Sequence, residues 1–188
     1  LQHSFKRDSY IDDIMELALR HNVDQDYTSH SFRSYYGNDE TVFEAPGARI
    51  PSITLTRYPF QEYHTSYDIP SMISLDSLES TYRIVWDSIQ ILETDLTLFS
   101  PPSGLFCLSN PKYNLYKKAI EPGISDDGNK ASDKQWNLLM NCLPMHISDG
   151  IHASKLSAMY HIDYFELLSY LKKWIAKGLS QSSPFLID

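Results

Sequence analysis

Two cysteines in 188 residues, Cys107 and Cys142, make no disulfide framework, and neither lies in a Cys-x-x-Cys pair. Both read as small buried residues of a reduced, cytoplasmic protein. No apolar run approaches the roughly 18 residues that a membrane-spanning helix requires. The opening Leu1-Gln2-His3-Ser4-Phe5-Lys6-Arg7 has neither an initiator Met nor the apolar stretch of a secretory leader. The expectation is therefore a chain that starts inside a longer protein. There is no phosphate-cradling glycine loop and no Gly-x-Ser-x-Gly elbow. Basic charge is also scarce: 16 Lys and Arg stand against 24 Asp and Glu, a formal net charge of −8. Such a balance disfavours nucleic acid, whose binding surfaces are basic.

What the chain does have is apolar and aromatic mass. Hydrophobic residues make up 42% and aromatics 13%, with 13 tyrosines, enough for a folded core. Asp8 to His21 reads as a helix with Ile11, Ile14, Met15, Leu17, Ala18 and Leu19 on its apolar face and Asp8 or Ser9 as cap. Residues 27–36 alternate polar and aromatic types, as a strand or irregular segment. Gly37-Asn38-Asp39 and Ala45-Pro46-Gly47 are turns. Ile50 to Thr56 reads as a short strand, and Tyr58 to Pro70 as an aromatic-rich loop.

From Ser74 to Phe99, Leu75, Leu78, Tyr82, Val85, Ile89, Leu92 and Leu96 recur at steps of three and four. This spacing predicts one long helix with a continuous buried stripe, stopped by Ser100-Pro101-Pro102. Residues 105–131 read as an extended connection, with loop signals at Asn110-Pro111 and at 125–129. Helices are then expected from Ser132-Asp133 to about Cys142, from His152 to Tyr160 with a cap at Ser148 or Asp149, and from Asp163 to a stop at Gly178. A wing over 180–186 would follow. That order is the topology of a winged helix-turn-helix. Over residues 132–188 there are five lysines, no arginine and four acidic groups before Asp188. This disfavours a DNA reader and favours a packing or protein-interaction module.

The candidate chemistry lies in Tyr63-His64-Thr65-Ser66-Tyr67-Asp68. A histidine between an aromatic and a small hydroxyl residue suits a metal ligand at the mouth of an α/β sheet; the plain alternative is a loop histidine bonded to a carbonyl. The order Gly37-Asn38-Asp39-Glu40, Ala45-Pro46-Gly47, Ile50-Pro51-Ser52-Ile53, then Glu62-Tyr63-His64-Thr65-Ser66 before a long helix resembles the C-terminal part of the zinc aminopeptidase-like (M28-type) family. It is most similar to the bacterial aminopeptidase-like proteins of the DUF4910 and DUF2172 type, which carry a winged-helix domain at the C-terminus. The entry from Ser4 to Asp12 and the closing helices also take part in the resemblance.

The resemblance implies an α/β fold. Residues 1–131 would be the C-terminal part of an aminopeptidase-like (zinc exopeptidase) domain, and 132–188 a small winged helix. It implies His64 as the last ligand of a zinc site and Tyr63 as the donor to a developing oxyanion, with aromatic packing as the alternative for Tyr63. Asp68 would accept the second N–H of the His64 ring. Asp39 and Glu40 would approach the same cleft, with a solvated turn as the alternative. Arg57 would hold a carboxylate or peptide carbonyl, with a surface arginine as the alternative.

The family pattern also places a first histidine, a bridging aspartate, an adjacent Glu-Glu pair and a second aspartate ahead of this region. No Glu-Glu pair occurs in the chain, and His3, His21 and His30 do not match. The chain alone is therefore expected to be inactive. The missing ligands lie elsewhere in the natural protein, or the protein has lost them. The implied function is part of a zinc-dependent hydrolase of peptide or amide bonds. The alternatives are a catalytically inactive interaction module, with a protein partner or a second copy, and a winged-helix DNA-binding regulator. Half of an α/β domain would also expose a large apolar face.

Overall fold

A computed structural model describes residues 1–23, 26–101, 103–104, 106–117 and 133–184. The expected boundary at 131/132, the loop at 125–129, the cap at Ser132 and the end of the wing at 185–186 lie outside these residues. The chain divides into two units, Leu1–Ile89 and Gln90–Asp188. The α/β expectation holds at the level of a mixed fold with a small three-stranded sheet.

In the first unit, α1 (Tyr10–Val23) buries Ile14, Met15, Leu17, Ala18 and Leu19. Its start is held by Asp12, a residue only 3% exposed. Asp12 Oδ2 accepts from the Ser9 backbone N–H at 3.2 Å, so the third helical residue reaches back to the residue before the helix. The same carboxylate accepts from Ser4 N at 2.8 Å, Ser4 Oγ at 2.5 Å and Ser9 Oγ at 2.5 Å, and lies 3.1 Å from His3 Nδ1. One turn on, Glu16 accepts from Tyr27 Oη and Ser29 Oγ, each at 2.6 Å, and approaches His3 Nε2 at 3.2 Å.

This network fixes the first residues of the chain, and Gln2 exploits that. Its backbone bridges His30 in parallel and Thr54 in antiparallel fashion. Its side chain donates to Tyr36 O at 2.9 Å and accepts from Tyr35 N at 2.9 Å. Three segments that read as separate from sequence are thus sewn together.

The helix expected over 74–99 is instead α3 (Leu75–Thr94), followed by strand β1 (Leu96–Phe99). Leu-Thr-Leu-Phe alternates with a period of two. Its cross-strand partners outweigh continuation of the helix, and Leu98 is fully buried.

The stripe on α3 is not buried. Leu75, Leu78, Tyr82, Val85 and Ile89 are exposed, together with Trp86, whose ring stacks on Tyr82 with centroids 6.2 Å apart. The buried face carries Ile84, Ser88 and Ile91. Asn22 of α1 donates to Asp87 Oδ2 at 2.8 Å and so selects that face. Apolar spacing identifies a face that could pack, and says nothing of whether a partner covers it.

In the second unit, β1 is the central strand of the order β2-β1-β3, with β2 (Ile151–His152) and β3 (Gln181–Pro184) both antiparallel to it. The core is drawn from α4 (Asp133–Asp149), α5 (Ala153–Tyr160) and α6 (Tyr164–Ala176). Leu139, Leu143, Ile147, Leu156, Leu167, Leu171 and Trp174 are fully buried.

The expected caps of α5 at Ser148 or Asp149 are not used, because α4 runs through to Asp149. Asp95, 59 residues away in sequence, takes that role: it accepts from Ser154 N at 2.9 Å and Ser154 Oγ at 2.6 Å. Asp163 does open α6, accepting from Glu166 N at 3.0 Å. Gly178 closes it at φ +69, a left-handed turn suited to glycine. Cys107 is exposed and Cys142 half-buried, so the expectation of two buried thiols fails for Cys107. Among the described residues no helix is long and apolar enough to cross a membrane.

Three outcomes are expected. Burial raises the Asp12 and Glu16 carboxyls, but their hydroxyl, backbone and His3 partners together outweigh it and hold both below their ordinary values of 3.8 and 4.5. Their contribution is therefore complete above those values and is lost as pH falls through the lower folded-state values. In urea titrations, Asp12→Ala should lower stability by about 2 kcal/mol or more at pH 7, through orphaned buried donors. Asp12→Asn should flatten the loss of stability below about pH 4. In the second unit, Trp174→Ala should cost about 3–5 kcal/mol by the same assay.

Candidate functional site

The site is built from two neighbouring stretches of the first unit. The first is the turn before α2 (Glu40–Phe43). Both oxygens of Glu40 accept from the Asn38 N–H, at 2.9 and 2.7 Å, and Arg33 Nε lies 3.5 Å from Oε1. Glu40 is buried, so it is spent on shaping this turn. Gly37 lies beside it, and the Arg33 guanidinium occupies the space that a side chain at this position would take. Asp39 is exposed at the head of α2 and does not cap it with its side chain. After the helix, Glu44 Oε1 receives Phe5 N at 3.1 Å and Ser52 N at 2.9 Å, tying the turn to the chain on either side.

The second stretch is the loop 58–68. Thr65 organises it. Its Oγ1 donates to Glu62 O at 2.6 Å and accepts from Tyr67 N at 3.2 Å, while its carbonyl accepts from Asp68 N at 3.3 Å. His64, between these bonds, adopts φ +62. This left-handed conformation costs a non-glycine residue of order 1–3 kcal/mol and is held by the surrounding turn. It lays the imidazole on the Tyr63 ring, with centroids 4.0 Å apart and planes 26° apart.

The two stretches meet at a pair of phenols. Tyr36 Oη donates to Tyr63 Oη at 2.9 Å. That bond holds the Tyr36 phenol above its ordinary pKa, and with Tyr36 as its donor the Tyr63 proton is left to donate outward. Phe60 packs edge-on to both rings, 5.2 Å from Tyr36 and 5.4 Å from Tyr63. The row of rings continues through Tyr58 and Tyr35 to His30, with successive centroids 5.7, 5.3 and 4.3 Å apart.

Tyr63 and His64 thus stand together on the surface beside the 37–40 turn. Asp68 is exposed, and no hydrogen bond joins it to His64. Arg57 lies apart, lining a cavity that includes none of Tyr63, His64, Asp39, Glu40 or Asp68. Among the described residues, no group of three or more His, Cys, Asp or Glu side chains could hold a metal ion. His64 is one imidazole where a closed zinc site needs three or four donors, so the residues present do not by themselves fit the metal. Tyr36 and Phe60 escaped sequence reasoning. The Tyr35-Tyr36 doublet before Gly37 was the available signal, but pairing of its hydroxyl with Tyr63 depends on how Gln2 anchors residues 35 and 36.

Comparison with known proteins places this geometry in context. A family model described as "Domain of unknown function (DUF4910)" matches residues 1–95. Over 92 residues, 48% of the chain, the sequence is 34% identical to a Clostridium acetobutylicum protein described as "Putative polysaccharide biosynthesis protein with aminopeptidase-like domain". The match covers 21% of that protein's length. A crystal structure from Clostridium acetobutylicum, described as a "putative peptidase", matches with a TM-score of 0.67 over 97% of this chain. It does so at 18% identity, a likeness of fold, and the chain spans 38% of that neighbour.

Removal of the Glu40 carboxylate should loosen the turn that carries Tyr36. In Glu40→Ala, amide hydrogen exchange at Asn38 is expected to accelerate about 5- to 30-fold, while helix α1 stays protected.

Proposed function

The chain belongs to the DUF4910 family, and we propose that it forms part of an aminopeptidase-like hydrolase acting on a peptide or amide bond. The observation that carries the reading is the Tyr36–Tyr63 hydroxyl pair with His64 stacked on Tyr63. It lies inside the family match, and within a chain whose relative is described as having an aminopeptidase-like domain.

In this reading Tyr63 donates its phenolic proton to the carbonyl oxygen of the bond being cleaved, where negative charge gathers as the carbon becomes tetrahedral. Tyr36 donates to the Tyr63 oxygen and so orients that proton. His64 is this chain's single contribution to a zinc centre, whose remaining donors these residues do not bring together. Asp39, exposed at the head of α2, is read as serving the same cleft. The second unit, with three helices and a three-stranded sheet, is read as a small winged helix that serves as a packing or protein-interaction module. Its last described helix presents Lys172 and Lys173, with Lys177 directly after it, and no arginine, a poor set for reading base edges.

A second reading draws on the exposed stripe of α3. It is a catalytically inactive peptidase scaffold that binds a protein through that face.

Elemental analysis of the full natural polypeptide tests both. About one or two zinc ions per chain, lost in His64→Ala, are expected for the hydrolase. Tyr63→Phe should then keep its zinc yet lower kcat on aminoacyl anilides by about 10²–10³ with little change in KM. Absence of zinc from both the natural protein and the variant would leave the scaffold reading. Under that reading, Leu78→Lys with Val85→Lys should reduce binding of a hydrophobic dye.

A further inference from the structure

The first unit contains a cavity of about 710 Å³, a volume typical of small-molecule sites. Its walls include Leu19 and Val23 of α1, Leu55, and Ile84 of α3, which supply an apolar floor. Tyr35 and Tyr58 add aromatic rings whose centroids are 5.3 Å apart. Arg57 supplies a guanidinium and Asp26 a carboxylate.

Arg57 Nη2 donates to Ser77 O at 3.2 Å. A guanidinium carries five N–H donors, so this one bond positions the group and leaves most of its donors for a ligand. Arg57 is exposed, so it remains hydrated until a ligand arrives. An apolar floor, flanking rings and one guanidinium with free N–H donors are the features that select a carboxylate attached to an apolar or flat body. Asp26 in the same wall opposes a second negative charge on the ligand.

We propose that this cavity is a binding site for a small monocarboxylate with an aromatic or apolar body, its carboxylate on Arg57 and its body on the Leu19, Leu55 and Ile84 floor. Neither Tyr63, His64 nor a metal takes part, so the site stands or falls independently of the hydrolase reading.

Isothermal titration of the full chain with 3-phenylpropionate, 3-phenylpropionamide and phenylsuccinate tests the proposal. Saturable binding of 3-phenylpropionate is expected, weakened at least tenfold for the neutral amide and for the dicarboxylate. Arg57→Gln should weaken it to the same degree, and Leu55→Trp, which fills the floor, should abolish it. Arg57→Lys should recover part of the affinity, which loss of folding would not allow. No saturable binding, an amide that binds as well as the acid, or wild-type affinity in Arg57→Gln would each overturn it.

Discussion

The first unit depends on one buried carboxylate. Asp12 is cut off from water and would be costly as an unpaired charge. It is tolerated because Ser4 and Ser9 each donate twice and His3 faces it. The same bonds immobilise residues 3 and 4 against the start of α1. Gln2, held next to them, can then bridge His30 and Thr54 and bind the backbone at Tyr35 and Tyr36. The Tyr36 hydroxyl reaches Tyr63 only because that backbone is fixed. A helix-start interaction is thereby linked through four short steps to the surface where His64 stands.

Asp95 serves the second unit in a similar way. It is buried directly after α3, and its carboxylate satisfies the amide and the hydroxyl of Ser154 in the first turn of α5. The strand that follows it becomes the centre of the sheet. One acidic residue thus ends a helix, caps another far along the chain and releases Leu96–Phe99 into β structure. In both units a buried acid joins segments that are distant in sequence, and the apolar core packs around that join.

The candidate site is divided in a way that bears on its chemistry. Tyr63 and His64 are coupled by stacking on an exposed turn, Glu40 is consumed in shaping the neighbouring turn, and Arg57 belongs to a separate cavity. The row of rings from His30 to Tyr63 connects that cavity to His64 without merging the two. Residue type alone would group all these side chains in one cleft. Burial and hydrogen bonding sort them into supports and exposed functional groups.

Several elements were legible from sequence because local chemistry determines them. These include the apolar spacing of α1, the Asp163 cap and Gly178 stop of α6, the turn at Gly37, and the Tyr63-His64 motif in an aromatic loop. The signals there lie within a few residues of the structure they specify. What tertiary structure decided has no local signature. The helix at 74–99 broke at Asp95 because strand partners more than fifty residues away compete for Leu96–Phe99. The apolar stripe of α3 stayed exposed because Asn22 and Asp87 turn the opposite face inward. Tyr36 met Tyr63 through anchoring by Gln2. Periodicity and capping are properties of a segment, whereas burial, long-range pairing and the company a side chain keeps are properties of the folded chain.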